Sequence, residues 1–302
     1  MIPYADRAME ALDAVAGWPV EAAAVAVVGF APTGSGSAPD ALGPATTTGD
    51  TARTFPWASV TKPATALAVL VAVEEGTLDL DGPAGPPGST VAHLLAHASG
   101  LGPEPGPPVE APGVRRIYSN AGYAVLGEVL ARASRMSFAE YLTAGVLEPL
   151  GMAGTALATA ADPAGTDPAA AGLAGPLDDL VALAREWARP TLVGHDTWRA
   201  ATSVRFAGLA GVLPGFGPSD PCDWGLGVEV RGDKRPHWTG ASNSPATYGH
   251  FGQSGSFFWV DPVAGVLCCG LADRPFGVWA SRAWRVLADA VVAEVAAGGP
   301  AR

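Results

Sequence analysis

Ser59-Val60-Thr61-Lys62-Pro63 is the stretch on which the reading of this chain turns. There are only two lysines, Lys62 and Lys234, and one of them stands three residues after a serine. If Ser59 opens a helical or 3₁₀ turn, residue 62 lies beside it and the ammonium reaches the hydroxyl within a single turn. Pro63 supports that placement, because a residue without an N–H is tolerated in the first helical turn and puts the helix start close to Ser59. The Ser59 N–H then points outward with no carbonyl behind it, toward a reacting carbonyl oxygen. A serine hydroxyl is a weak nucleophile until a base takes its proton. Lys62 is such a base only if burial and neighbours bring its pKa down from ~10.4 toward neutrality. The spacing alone is unspecific, since roughly one chain in ten places a serine three before one of two lysines by chance.

Two further clusters carry chemistry-bearing side chains. Tyr118-Ser119-Asn120 follows Arg115-Arg116-Ile117 and precedes a helical pattern, so it sits at a helix entrance. Its ordinary reading is an N-cap made by Ser119 or Asn120. Its functional reading gives Tyr118 a proton relay between Ser59, Lys62 and a leaving group, and Asn120 a hydrogen bond to a substrate amide. Gly249-His250-Phe251-Gly252-Gln253-Ser254-Gly255 opens a strand-like run. It reads either as a Gly-rich turn with an exposed histidine or as a strand edge whose N–H completes an oxyanion hole.

Around these clusters the pattern is helix then strand, a helical middle, and strands with a closing helix. Tyr4–Ala16 has helical spacing and Glu21–Phe30 is strand-like; Lys62–Glu75, Ala121–Arg132, Phe138–Leu147 and Asp178–Ala188 are helical. Gly225–Arg231, His250–Val260 and Val266–Ala272 are β-like, and Val278–Val295 is helical. Residues 31–50, 82–90, 99–114, 153–176 and 211–221 read as Gly-, Pro-, Ser- and Ala-rich loops. The expected fold is α+β, with an antiparallel sheet flanked by helices from both termini and a mostly helical lobe inserted between them. Residues 1–60 and 205–302 form the sheet-bearing lobe, residues 61–204 the helical lobe, and the active site lies at the seam.

Composition limits the possible partners. With 302 residues, 48% hydrophobic and only 16% charged, the chain buries a substantial core. A net charge of −11 repels polyphosphate, which argues against nucleic acid and anionic membrane as partners. No stretch reaches ~18 uninterrupted apolar residues, and no secretory signal opens the sequence, so the expected compartment is the cytoplasm. Cys222, Cys268 and Cys269 are odd in number and the last two point to opposite faces of a strand, so they read as reduced.

Taken in order, Ser59-x-x-Lys62, Tyr118-x-Asn120 and His250-x-Gly252 resemble the serine β-lactamase and penicillin-binding-protein superfamily. The likeness is greatest to the branch holding class C β-lactamases, D-alanyl-D-alanine carboxypeptidases and related esterases. It extends to Leu78-Asp79-Leu80-Asp81, to Val91–Leu101, to Tyr123–Gly127, to Leu147–Met152 and to Trp224-Gly225-Leu226-Gly227, covering residues 20 to 290. The resemblance implies a β-lactamase-like fold in which Ser59 is acylated, Lys62 and Tyr118 move its proton, and Asn120, His250, Gly252 and Gln253 meet the substrate. The Ser59 and Gln253 N–H groups would form the oxyanion hole. It implies a small-molecule ester, amide or lactam substrate and no cofactor.

His250 departs from the lysine of β-lactamase-type third motifs. An unperturbed histidine is mostly neutral at pH 7, so a substrate carboxylate loses its anchor unless Arg115 or Arg116 reaches the site, and esterase-like activity is the expectation. The alternatives are a β-lactamase, a D-amino-acid peptidase or amidase, an acyl transferase in small-molecule biosynthesis, and a slow-acylating binding protein. Other motifs fail: Ser256 breaks the nucleophile elbow at Gly252-Gln253-Ser254-Gly255, and Gly34-Ser35-Gly36 is no dinucleotide loop. His93 and His97 have the helical spacing of zinc ligands without the accompanying glutamate, and read as packing or capping residues with no metal.

Overall fold

The computed structural model describes residues 9–32, 42–158 and 167–298. Along the strand Ala23–Phe30, Ala24, Ala26 and Val28 face one core while Val25 and Val27 face another. Its neighbour Val266–Ala272 divides in the same way, placing Cys269 in the first core and Cys268 in the second. A strand covered on both faces reads as an unbroken apolar run rather than an alternation, as both of these do. All three cysteines are buried free thiols.

These two strands are interior neighbours in a six-stranded sheet in the order 42–49, 23–30, 266–272, 257–261, 248–251, 229–230, with every pairing antiparallel. The helix Leu177–Ala188 lies across one face through Leu180, Leu183 and Trp187. The other face is covered by Val278–Gly298, through Trp284, Leu287 and Val291, and by the 3₁₀ helix Glu10–Gly17. Thr61–Glu74 is buried nearly all round, as an apolar helix without a polar stripe must be. Its small alanines let other chain segments approach. Gly227, at φ +106°, comes so near that a Cβ there would overlap the Ala66 side chain at 2.2 Å. Among the described residues, no helix is long and apolar enough to cross a membrane.

Several sequence expectations need correction. Within the expected loop 31–50, Leu42–Gly49 is an edge strand; a register shift between Val28 and Phe30 passes over Gly43-Pro44, and an edge tolerates the proline that hid it. The run His250–Val260 is a hairpin, Tyr248–Phe251 and Phe257–Asp261, broken by the turn at 252–256. Gly225–Arg231 keeps only Glu229–Val230 as strand. Phe138–Leu147 is α-helical to Leu142 and then widens into a π turn. The expected loop 153–176 carries two short strands and the helical turn Pro168–Ala171, and 211–221 carries the hairpin Gly211–Leu213 with Gly217–Ser219. The described part of the first helix is 3₁₀ over Glu10–Gly17, while Tyr4–Ala8 and Gly34-Ser35-Gly36 lie outside the described residues.

Candidate active site

The 3₁₀ turn Ala58–Val60 runs directly into the Thr61–Glu74 helix. Ala58 takes φ +45°, a left-handed conformation that costs a residue with a Cβ about 1–3 kcal/mol. This bend carries the chain from Phe55–Pro56 into the helix and sets Ser59 and Lys62 on one face. Lys62 Nζ lies 3.2 Å from Ser59 Oγ. It also donates to Asn120 Oδ1 at 2.8 Å and to the Ala170 carbonyl at 2.9 Å. The amine is fully buried, and none of these partners is an anion. Burial therefore brings its pKa from 10.5 down to about 7.

Hydrogen-bond inventory then orients the amine. A neutral amine has two N–H groups and one lone pair. Asn120 Oδ1 and the Ala170 carbonyl accept only, so both N–H groups go to them and the lone pair is left for Ser59. This is the arrangement a general base needs, within hydrogen-bond reach of the proton it removes.

Tyr118 stands beside this pair, its ring 4.9 Å from Lys62 Nζ and its phenol hydrogen-bonded to the Ser59 hydroxyl. Burial pushes the phenol pKa up, and the Ser59 hydrogen bond only partly offsets it, so Tyr118 holds its proton at neutral pH. The capping reading of the second cluster holds for Ser119 and not for Asn120. Ser119 caps the helix Asn120–Ser134 through Gly122 N–H at 2.8 Å, and Asn120 turns inward to Lys62.

The third cluster arrives from the sheet. His250 is the penultimate residue of Tyr248–Phe251, and Gly252 and Gln253 begin the turn that follows. A Cβ on Gly252 would stand 2.4 Å from both Trp57 O and Ser256 Oγ and 3.2 Å from Ser59 N, so only glycine lets this turn rest on the nucleophile's backbone. His250 is buried rather than exposed, and its Nδ1 donates to the Phe251 carbonyl at 2.8 Å. Burial first, and the nearby Lys62 second, bring its pKa from 6.5 to about 3, against smaller opposing effects of the Phe251 carbonyl and Glu229. It is neutral throughout the physiological range.

A cavity of about 210 Å³ opens at Ser59 and is also bordered by Tyr118, Asn120, His250 and Gln253. Lys62 and Gly252 stand just behind this wall. Sequence reasoning missed the rest of the lining, where Trp224, Trp238, Phe251, Leu213 and Pro214 give an apolar, largely aromatic surface. Glu229 completes it. Its carboxylate, 2% exposed, accepts from the Trp238 indole at 2.6 Å and lies 2.8 Å from Lys234 Nζ and 2.9 Å from His237 Nε2. Burial by itself raises the Glu229 pKa, but His237 and Lys234 outweigh it and hold the carboxyl well below its usual range. Among the described residues, no lysine or arginine borders the cavity. Arg116 is turned away, its guanidinium spent on the carbonyls of Cys222, Ala96, Arg205 and Phe206.

His93 stacks on Phe206, and His97 is buried with Nδ1 accepting from Ser119 N–H at 3.1 Å. Among the described residues, no three His, Cys, Asp or Glu side chains are grouped to hold a metal ion.

The candidate site thus pairs a serine hydroxyl with a buried lysine amine between an antiparallel sheet and a buried helix. The chain belongs to the β-lactamase family, whose model matches residues 8–291. Members of this family are serine hydrolases. A β-lactamase from Mycobacterium bovis, Mb2281c, is 50% identical, with TM-score 0.85 over 94% of this chain and 99% of that one. SurE, solved with D-Leu, is 26% identical with TM-score 0.69, over 96% of this chain and 74% of its own. EstCE1, described as a hydrolase with promiscuous acyltransferase activity, shares the fold at TM-score 0.71 and 18% identity, over 93% of this chain and 96% of its own. No curated protein matches the chain.

Proposed function

We propose that the protein is an esterase-like hydrolase that forms an acyl-enzyme on Ser59 with small neutral substrates. The observation that carries this reading is the buried Lys62 amine, 3.2 Å from Ser59 Oγ with its other two contacts on acceptors. In the first step Ser59 Oγ attacks the substrate carbonyl while its proton passes to the Lys62 lone pair. The carbonyl oxygen becomes an oxyanion facing the N–H groups of Ser59 and Gln253. Collapse breaks the bond to the leaving group, which takes the proton that Lys62 received, either directly or relayed through the Tyr118 phenol as Lys62 reprotonates it. Water then attacks the acyl carbonyl, the same groups move the protons in reverse order, and Ser59 is regenerated. Asn120 holds the Lys62 amine and borders the cavity, where it meets the substrate.

The preference for neutral substrates rests on charge. Among the described residues no cationic side chain borders the cavity, its histidine is neutral, and Glu229 lies in its wall. A carboxylate finds no anchor there, whereas an ester group of modest size finds aromatic walls. A lactam is the second reading, favoured by the 50% identity to a protein described as a β-lactamase.

The test is kcat/KM for a p-nitrophenyl ester beside a chromogenic cephalosporin and a D-Ala-D-Ala peptide at pH 6 and pH 8, with adduct mapping by mass spectrometry. The ester should be the better substrate, its acyl group should map to Ser59, and Ser59→Ala should abolish turnover. A tenfold or greater advantage for either carboxylate-bearing substrate at pH 8 defeats the ester assignment. An adduct on Ser254 with Ser59→Ala still active defeats the mechanism.

A further inference from the structure

We propose that His97 is a positioning residue that clamps Tyr118 in place from both sides of its peptide. The inference rests on the acyl-enzyme reading above and extends it to a residue that touches neither Ser59 nor the cavity. The Ile117 N–H donates to the His97 carbonyl at 2.9 Å, and the Ser119 N–H donates to His97 Nδ1 at 3.1 Å. Residue 118 is thereby held between two amides bound to one residue. The imidazole also lies against the Tyr118 ring, with centroids 4.6 Å apart, and is wedged between Tyr123 at 5.2 Å and Trp224 at 4.7 Å. Neighbouring bonds extend the seam: the Arg116 guanidinium holds the Ala96 carbonyl, and the Gly113 N–H donates to the Ala98 carbonyl at 2.8 Å.

Two features distinguish a positioning device from ordinary packing. His97 adopts φ +55°, a left-handed conformation that asparagine and histidine tolerate better than most residues with a Cβ. That conformation places its carbonyl and its Nδ1 where the two amides need them. Its protonation state is also fixed. Because Nδ1 accepts from a backbone N–H, the ring must be neutral with its proton on Nε2, and burial followed by the nearby Lys62, His250 and Arg116 keeps its pKa well below the usual value. A protonated His97 would lose the Ser119 bond and place a second cation near Lys62. Nε2 has no hydrogen-bond partner among the described residues, so Nδ1 is the atom that matters.

The test compares His97→Asn, whose side-chain oxygen keeps an acceptor near the Nδ1 position and suits the left-handed backbone, with His97→Gln and His97→Phe, which remove that acceptor. Each is made alone and with Tyr118→Phe. The readouts are kcat and KM for a p-nitrophenyl ester, the rate at which a fluorophosphonate labels Ser59, and thermal unfolding to confirm folding. His97→Gln and His97→Phe should lower kcat and labelling about 10-fold or more with KM within about 3-fold, because only proton transfer is disturbed. His97→Asn should stay within about 5-fold of wild type. In the Tyr118→Phe background none of the three should cost more than about 2-fold, since the group they position is gone. If His97→Phe does not fold, His97→Gln and His97→Asn carry the comparison. Equal losses in Asn and Gln variants, no loss in either, or losses that multiply with Tyr118→Phe overturn the clamp while leaving Ser59 labelling intact. Wild-type protein that takes no label on Ser59 overturns the acyl-enzyme reading and the clamp together.

Discussion

Replacing Lys62 by methionine should abolish activity and yet stabilise the protein in mild acid. Moving a lysine from 10.5 to about 7 means that the unfolded chain holds this proton more tightly than the folded one. The sign follows directly: the buried amine costs stability, in full below about pH 7, and the cost fades as pH rises toward 10.5. At 1.36 kcal/mol for each pH unit, the full cost is roughly 5 kcal/mol. Methionine fills similar space without it, but leaves Asn120 Oδ1 and the Ala170 carbonyl short of a donor, at about 1–2 kcal/mol each. Near pH 6 the balance should favour the variant by about 1–3 kcal/mol. The pH dependence is the sharper test, because the hydrogen-bond losses do not change with pH. Between pH 6 and pH 9 the advantage of Lys62→Met should shrink by roughly 3 kcal/mol. Urea unfolding of both proteins at pH 6, 7.5 and 9 measures it. Parallel stability curves, or a variant that gains stability as pH rises, would refute the buried neutral amine and remove the basis for Lys62 as a base.

Other consequences can be checked on the same material. Because Lys62 must be neutral to accept a proton, kcat/KM should climb with pH through about 7, tenfold per unit on the acid side, with no limb from His250, which titrates at about 3. A flat pH–rate profile from pH 5 to 8 contradicts this. Glu229→Gln leaves Lys234 buried 2.8 Å from an uncharged amide, which should cost about 3–5 kcal/mol and lower the melting temperature by about 5–8 °C. Calorimetry showing a change under about 2 °C would mean that the pair is of no structural consequence.

What the sequence discloses is what lies within one turn or one strand. Ser59 and Lys62 are legible because three residues of helix bring them together, and Tyr118 and Asn120 because a helix entrance exposes them. The Ala170 carbonyl, which helps orient the amine, is invisible, since every residue has one and only the fold chooses which is used. Glu229 stands on a two-residue strand and Trp238 within the long connection that leads from it to Tyr248–Phe251, and no local pattern marks either. His97 carries the spacing of a zinc ligand with His93, but its ring is committed to the Ser119 amide. The edge strand Leu42–Gly49 is hidden for another reason. Local composition counts its Gly43-Pro44 as a loop, while the pairing that overrides it lies with Ala23–Phe30 in another part of the sequence.

The two lysines show how much the surroundings decide. Both are buried, Lys62 at 0% and Lys234 at 4% exposure, and each contacts backbone carbonyls. Only one of them has a carboxylate for a partner. Lys234 has the Glu229 carboxylate at 2.8 Å, an ion pair whose charges compensate each other in the interior and which ties the Trp238 loop to the cavity wall. Lys62 has a serine, an asparagine and a peptide carbonyl, none of them able to repay the desolvation of an ammonium. A carboxylate in place of Asn120 would supply that counter-charge and would hold Lys62 protonated, so Asn120→Asp should raise the amine's pKa and move the acid limb of the rate profile upward from about 7. Ester turnover of Asn120→Asp measured from pH 6 to pH 10 reads this shift. An unmoved limb would show that the absence of an anion beside Lys62 is not what sets its basicity.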